Sequence, residues 1–279
     1  MFKKTSIGIS FSDEAIHFVK LSKKLFGRFV LLDYGEKKLS ERAIQYGIVK
    51  DQEELQRVLQ LLKQEKKIKS AFVSLPEEKE NLSFDYLNDY KEVLKNARIR
   101  IKNFEAEGEA ERRAVIKNKD VDAYMIVNIE KFHTGVFIVA DEKVVFSSTI
   151  NIGGETIYKI TEESDIGLIR NIVIKEVSSA TLSGISILKE EINRHLLRWH
   201  TRIGEKDPKR PLIKKIILTG SDVYLQGVDE YLSVTLKIIV EYGNVWTNIF
   251  NPREVIPSLS FKESLSFASA IGTALKRFE

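Results

Sequence analysis

The chain has 279 residues, of which 43% are hydrophobic, 30% charged and 9% aromatic, with a net charge of +4. That apolar content builds a core and excludes general disorder, and the length suits two domains or two similar lobes. There is no cysteine, which excludes disulfides, cysteine-ligated zinc, iron–sulfur clusters and thiol nucleophiles. The mild, evenly spread charge speaks against nucleic acid as a partner.

In chain order, Phe2-Lys3-Lys4 gives a basic start, but the apolar stretch behind it stops at Ser10–Glu14 without a cleavage site. Ser6–Leu21 reads as two alternating strands around the polar turn Ser12-Asp13-Glu14, and Arg28–Tyr34 as an outer third strand. Asp51–Ile68 places Leu55, Val58, Leu59 and Leu62 on one helical face. Ala71–Leu75 is a short strand ended by Pro76, Tyr86–Ala97 a second helix and Arg98–Phe104 a strand. The pattern then restarts: strands Tyr124–Ile129, Gly135–Ala140 and Lys143–Ile150, helix Ile185–Arg202, strand Lys215–Thr219, helix Gly227–Leu236, strand Lys237–Glu241. A last helix, Ser264–Phe278, carries small residues suited to close packing. No apolar run reaches the ~18 residues a spanning helix needs, so a cytoplasmic chain is expected. His17, His133, His195 and His200 show no metal-ligand spacing.

Both halves therefore read βββ-α-β-α-β. Laying Ser10 on Asn128, 118 residues on, superposes the two opening hairpins strand on strand. The expectation is a duplicated α/β fold with lobes 1–120 and 121–279, the helix 264–278 packing back toward the first. A ligand would then bind at the strand ends, in a cleft between the lobes. The alternative is one ordinary α/β domain with a coincidental echo.

Four segments carry a resemblance: Ile7-Gly8-Ile9-Ser10 running into Ala15–Leu21, Asn151–Thr156, Ile216–Ser221, and Phe267–Leu275. Leu188–Trp199 and Gly47–Asp51 add to it. In this order, over nearly the whole chain, they resemble the actin-like ATPase superfamily, and within it the PilM family of type IV pilus assembly proteins. The resemblance implies a duplicated ribonuclease-H-like (actin-like) fold with ATP and Mg²⁺ at the hairpin turns. Its nucleotide-site positions fall on Ser10, Ser12, Asp13, Asn128, Glu130, Gly153, Gly154, Glu191, Arg194, Gly220 and Ser221. Gly220 would lie under the adenine, with Glu191 and Arg194 toward the ribose.

The chain departs from the family where phosphate chemistry is done. Ser10 and Asn128 stand where the two hairpins would carry aspartates, and Ser12 and Glu130 where the turns would carry glycines. Asp13, Glu14 and Glu130 would set carboxylates against a phosphate, which repel it more strongly in a closed cleft than in water. These departures imply a degenerate ATP site and a pseudo-ATPase, with no catalytic residue and no resident metal. A rescue, in which Asp13 or Glu14 takes over Mg²⁺, competes with a plain solvated turn.

Leu75-Pro76 is followed by only Glu77–Asp85, too short for the family's small subdomain, through which neighbouring copies and the tail of an inner-membrane partner are contacted. The implied partner is a PilN-like inner-membrane protein bound through its N-terminal cytoplasmic peptide, with possible self-association. A groove walled by Ser70–Leu75 and the adjacent helix would hold that peptide. The chain would then sit at the inner membrane indirectly, through partners. Lys63–Lys69 reads as a solvated helix end, with contact to an anionic membrane surface as the alternative, and Arg202–Pro211 as a surface loop, while Trp199 and Trp246 read as packing residues. The competing readings are a small-molecule kinase of the same fold and an FtsA-like filament protein.

Overall fold

The computed structural model describes residues 4–24, 27–41, 43–76, 85–157, 179–201, 211–224, 227–250 and 257–279. The chain divides into two compact units, one of Met1–Asn118 and Asn244–Glu279, the other of Lys119–Gly243. The loop read at Glu77–Asp85 and the loop Arg202–Pro211 fall almost wholly outside the described residues.

The first unit is built on a five-stranded sheet in the order β3-β2-β1-β6-β7. Strands β1 (Lys4–Phe11), β2 (Ala15–Lys23) and β3 (Phe29–Lys38) form an antiparallel meander, and β6 (Ser70–Leu75) and β7 (Arg100–Ala106) join parallel to β1. A two-residue-stranded hairpin, β4 (Ile44–Gln45) and β5 (Ile48–Val49), precedes helix α1 (Gln52–Lys66). Asp51 caps α1 by accepting the Glu54 N–H. On one face of the sheet, Ile9, Phe11, Ile16, Phe18 and Val73 bury against Leu55, Leu59 and Leu62 of α1 and against Tyr90, Val93 and Leu94 of α2 (Asp85–Asn96). This is the apolar periodicity read from the sequence.

The opposite face holds the last helix. The run Ser264–Phe278 is not one helix but a helical turn Phe261–Ser264, a 3₁₀ turn Leu265–Phe267, an α-helix Ala268–Leu275 and a 3₁₀ turn Lys276–Phe278. Its α-helical part lies on β1 so closely that a Cβ on Gly8 would collide with the backbone of Ala270 and Ala274. On its outer side packs α3 (Glu107–Val115), where a Cβ on Gly272 would collide with the Ala110 carbonyl. Apolar periodicity does not reveal α3, because its buried residues include Glu107, Glu111, Arg112 and Arg113. Those groups are hydrogen-bonded: Arg113 holds Glu105 through two bonds of 2.9 Å and Glu279 at 2.6 Å, and Ser269 donates to Glu111 at 2.8 Å.

The second unit repeats the topology, in the order β10-β9-β8-β11-β12. Its meander is β8 (Ala123–Ile129), β9 (Thr134–Ala140) and β10 (Lys143–Ile150). Strands β11 (Ile213–Thr219) and β12 (Ile239–Tyr242) add in parallel, with helices α4 (Ser179–Thr201) and α5 (Val228–Leu236). The register bears out the internal repeat. Ser10 lies between His17 of β2 and Ser74 of β6, and Asn128 between Gly135 of β9 and Thr219 of β11. Helix α4 buries Ile185, Leu188, Ile192, Leu196 and Trp199, and the Trp199 indole N–H donates to the Pro211 carbonyl.

Several boundaries differ from the sequence expectation for one local reason. Lys67, Arg98 and Lys237 end α1, α2 and α5 in the left-handed conformation, with φ of 52°, 56° and 55°. Basic side chains suit the negative helix end, but the sequence shows no glycine there to mark it. Strands β7 and β12 accordingly start two residues later than read. Strand β3 runs on to Lys38 because its polar second half still pairs with β2 along the sheet edge. Among the described residues no helix is long and apolar enough to cross a membrane.

Candidate functional site

The candidate residues fall into three groups. In the first unit, Ser12 closes its own turn: its hydroxyl donates to the Ala15 carbonyl at 3.2 Å and accepts the Ala15 N–H at 3.1 Å. Asp13 is only 1% exposed, which corrects the reading of this turn as solvated. Its carboxylate accepts the N–H of Tyr46 at 2.9 Å and of Gly47 at 3.0 Å. Both donors have positive φ, 51° and 78°, as a two-residue primed turn between β4 and β5 requires. The successive N–H groups of that turn converge on one carboxylate, so Asp13 ties the β4–β5 hairpin to the β1–β2 turn.

Tyr90, fully buried, donates to the Gly47 carbonyl at 2.8 Å and fixes the same turn from below. Burial, with Tyr86 and Asp13 close by, pushes its phenol well above the ordinary range. Ser10 is buried on the face of the last helix. Its neighbour His17 is buried too, edge-on to the Phe267 ring at 4.8 Å and 3.5 Å from the Glu36 carboxylate.

In the second unit the structure brings Asn128, Glu130, Gly153, Gly154, Gly220 and Ser221 together. The Glu130 carboxylate is buried and accepts the Ser221 hydroxyl at 2.8 Å. The Gly154 and Glu155 N–H groups donate to the carbonyls of Glu130 and Lys131, each at 2.9 Å. A Cβ on Gly153 would strike those same carbonyls, and one on Gly154 would strike the Asp222 side chain. Gly220, at φ 111°, has the Ile129 carbonyl and Asn128 Oδ1 where a Cβ would stand. These glycines therefore serve close packing among the β8–β9 turn, the end of β11 and the turn at Gly154–Ile157. Glu191 and Arg194 lie on α4, where they pair with each other at 2.9 Å, three residues apart.

A triphosphate with hydrated Mg²⁺ needs free backbone N–H groups at glycines and an uncommitted carboxylate. Both Asp13 oxygens accept backbone N–H bonds, Ser12 is spent on its own turn, and the glycine faces are filled by protein atoms. Among the described residues no three His, Asp or Glu side chains cluster as a metal site.

A different feature of the first unit is open. A pocket of about 330 Å³ lies at the ends of β6 and β7, lined by Leu75, Pro76, Tyr86, Leu87, Phe104 and Ala106, with Glu105 as its one charged residue. Tyr86 is held there by its hydroxyl, which donates to the Pro76 carbonyl at 2.8 Å. Strand β7 is the last of its sheet, so the pocket lies at a sheet edge. Sequence reading reached Leu75 and the following helix but missed Phe104 and the Tyr46-Gly47 turn. The turn had a signal, Ile44 and Ile48 flanking a two-residue loop with glycine.

No family model matches the sequence, and no curated protein does. Solved structures do match over the full length. A chain of the PilM–PilN type IV pilus biogenesis complex is 15% identical, with 98% of each chain covered and a TM-score of 0.74. The ethanolamine utilization protein EutJ from Carboxydothermus hydrogenoformans is 15% identical, covering 99% of this chain and 90% of its own, at 0.65. MreB 5 of Spiroplasma citri, solved bound to AMPPNP, is 12% identical, covering 99% and 96%, also at 0.65. At such identities the likeness is one of architecture, and together with the doubled β-meander topology it makes this chain a protein of the actin-like fold.

Proposed function

We propose that the chain is a cytoplasmic actin-fold scaffold, similar to PilM, for type IV pilus or type II secretion-like assembly. It binds a short cytoplasmic segment of a PilN-like inner-membrane protein, is held at that membrane through its partner, and does not turn over ATP. The observation that carries this reading is the apolar pocket between Leu75, Tyr86 and Phe104. A fixed ring, a proline and aliphatic walls at a sheet edge suit an extended peptide that anchors one or two apolar side chains. The full-length likeness to a chain of the PilM–PilN complex supports the choice of partner. The committed carboxylate of Asp13 and the filled glycine faces of Gly153, Gly154 and Gly220 support the loss of hydrolysis. Binding energy from contact surface suffices for a scaffold, so the decayed site costs it nothing.

Two titrations test the reading. Calorimetry with a synthetic N-terminal peptide of the same genome's PilN-like protein should give a Kd near 1 µM, about −8 kcal/mol. Leu87→Asp should weaken it at least about tenfold, since a carboxylate would be stripped of water in an apolar wall. No binding by the parent chain overturns the peptide assignment. Thermal unfolding with ATP and Mg²⁺ should show no stabilisation, whereas a working site at ~100 times Kd adds about 2.7 kcal/mol.

A further inference from the structure

A second surface of the first unit lies at the other end of its sheet. Lys4 opens β1, and the register sets it opposite Lys23 at the end of β2, which in turn faces Phe29 at the start of β3. Paired residues share a sheet face, so these three side chains stand together. The last 3₁₀ turn brings Arg277 and Phe278 to the same end: the Arg277 guanidinium donates to the Thr5 carbonyl at 2.6 Å. The Lys23 ammonium lies 5.0 Å from the centre of the Phe29 ring and 5.9 Å from that of Phe278, and the two rings meet edge-on at 5.1 Å. Beside them a pocket of about 300 Å³ is lined by Lys24, Arg28, Phe29, Leu31, Phe250 and Pro257 among others.

What sets this end apart is the combination of unpaired cations with two aromatic rings. Lys4, Lys24, Arg28 and Arg277 are exposed, and none of these four, nor Lys23, makes an ion pair among the described residues. The acids on the same elements are engaged elsewhere: Asp33 by Lys66, Glu36 by His17, and Glu279 by Arg112, Arg113 and Lys276. The lysine run at the end of α1 differs in its surroundings rather than in its pairing, since Lys63, Lys67 and Lys69 make no ion pair among the described residues either. There Lys66 is bound by Asp33 and lies over the Phe18 ring, and neighbouring Glu65 holds Lys37.

We infer that this basic, aromatic-backed end of the sheet docks directly on an anionic lipid bilayer. Cations on long stems around half-buried phenyl rings reach phosphates while the rings meet the headgroup boundary. Each lysine or arginine near such a surface strengthens partition about fivefold, so five make a weak, reversible, salt-sensitive contact that orients the chain. Single-stranded nucleic acid fits less well, since Phe29 and Phe278 pack edge-on against each other beside Lys23 rather than standing apart as successive stacking platforms.

Co-sedimentation of the full chain with vesicles tests this without any partner protein. Phosphatidylcholine vesicles containing about a third phosphatidylglycerol should bind the chain, pure phosphatidylcholine should not, and about 0.5 M salt should release it. Lys24→Glu with Arg28→Glu should weaken binding at least about 25-fold while leaving the melting temperature unchanged, as both side chains are exposed. Lys63→Glu with Lys69→Glu should leave it intact. The inference fails if the parent chain binds neither vesicle or both alike, or if the α1 pair matters as much as the hairpin pair. It also fails if single-stranded RNA displaces the chain from anionic vesicles through the same residues.

Discussion

The two sheets have one topology and opposite solutions at the same place. In the first unit the strand carrying Ser10 has Gly8 two residues earlier, and its face is closed by a helix laid almost onto the backbone. In the second, the corresponding strand has Ile126 at that position, fully buried with a side chain of its own. The turns differ as well. The first is held by a carboxylate, Asp13, which captures a neighbouring hairpin; the second is held by glycines, against which carbonyls and the Asp222 side chain pack. Duplication preserved strand order, while the means of holding each turn diverged. A shared fold therefore says little about what each turn can bind.

Gly8 offers the hardest test of that contrast. Gly8→Val should cost about 4 kcal/mol, because the branched side chain must push Ala270 and Ala274 off β1 with their backbone. Urea unfolding measures it. Ile126→Val, at the matching position of the second unit, should cost about 1 kcal/mol, an ordinary cavity effect. Equal losses at the two positions would show that the helix does not lie on β1 as described.

Asp13 comes next. Asp13→Ala strips two backbone N–H groups of a buried charged acceptor and should cost about 3 kcal/mol, with Asp13→Asn losing less because one oxygen remains. Amide exchange at Tyr46 and Gly47 should speed up in the alanine variant. A fully stable Asp13→Ala chain would remove the structural role and reopen the metal reading of this turn.

The glycine turn gives a smaller effect with an internal control. Gly154→Ala should cost about 2 kcal/mol against the Asp222 side chain, and adding Asp222→Ala should recover most of it. Gly153→Ala meets backbone carbonyls instead and should not be rescued by the same change. Rescue of both would mean that the turn as a whole is loose.

These contrasts also mark what was legible beforehand. Alternating strands, the α1, α2 and α4 apolar faces and the doubled order stand in the sequence because they depend on period alone. Helix α3 does not, since its buried face carries Glu111, Arg112 and Arg113, which are held by nearby Glu105 and Glu109 and by Ser269 and Glu279 far along the chain. The helix ends at Lys67, Arg98 and Lys237 hide because basic residues adopt the conformation that glycine usually signals. For the site, the family resemblance pointed to Asp13, Glu130 and the glycines, but the atoms that occupy them come from positions such as Tyr46 and Asp222, joined only by tertiary structure.

The smallest expected effect is a pH dependence belonging to the first sheet alone. His17 sits opposite Glu36 across β2 and β3, where the second sheet's β9 has Gly135 at the matching position. The hydrogen bond from His17, outweighing partial burial, holds the Glu36 carboxyl below its ordinary value of 4.5. A carboxyl lowered in the folded state binds fewer protons there than in the unfolded chain. Its contribution to stability is therefore complete above 4.5 and is lost as pH falls through the folded value. Other carboxyls titrate in the same window, so the informative quantity is a difference. Denaturant midpoints of the parent chain and of Glu36→Gln should lie furthest apart at neutral pH and converge as the solution is acidified. Because the carboxylate is largely exposed, added salt should narrow the gap at neutral pH. A gap that stays constant on acidification would mean that His17 is held by Phe267 alone, and that the first sheet owes nothing to this pair.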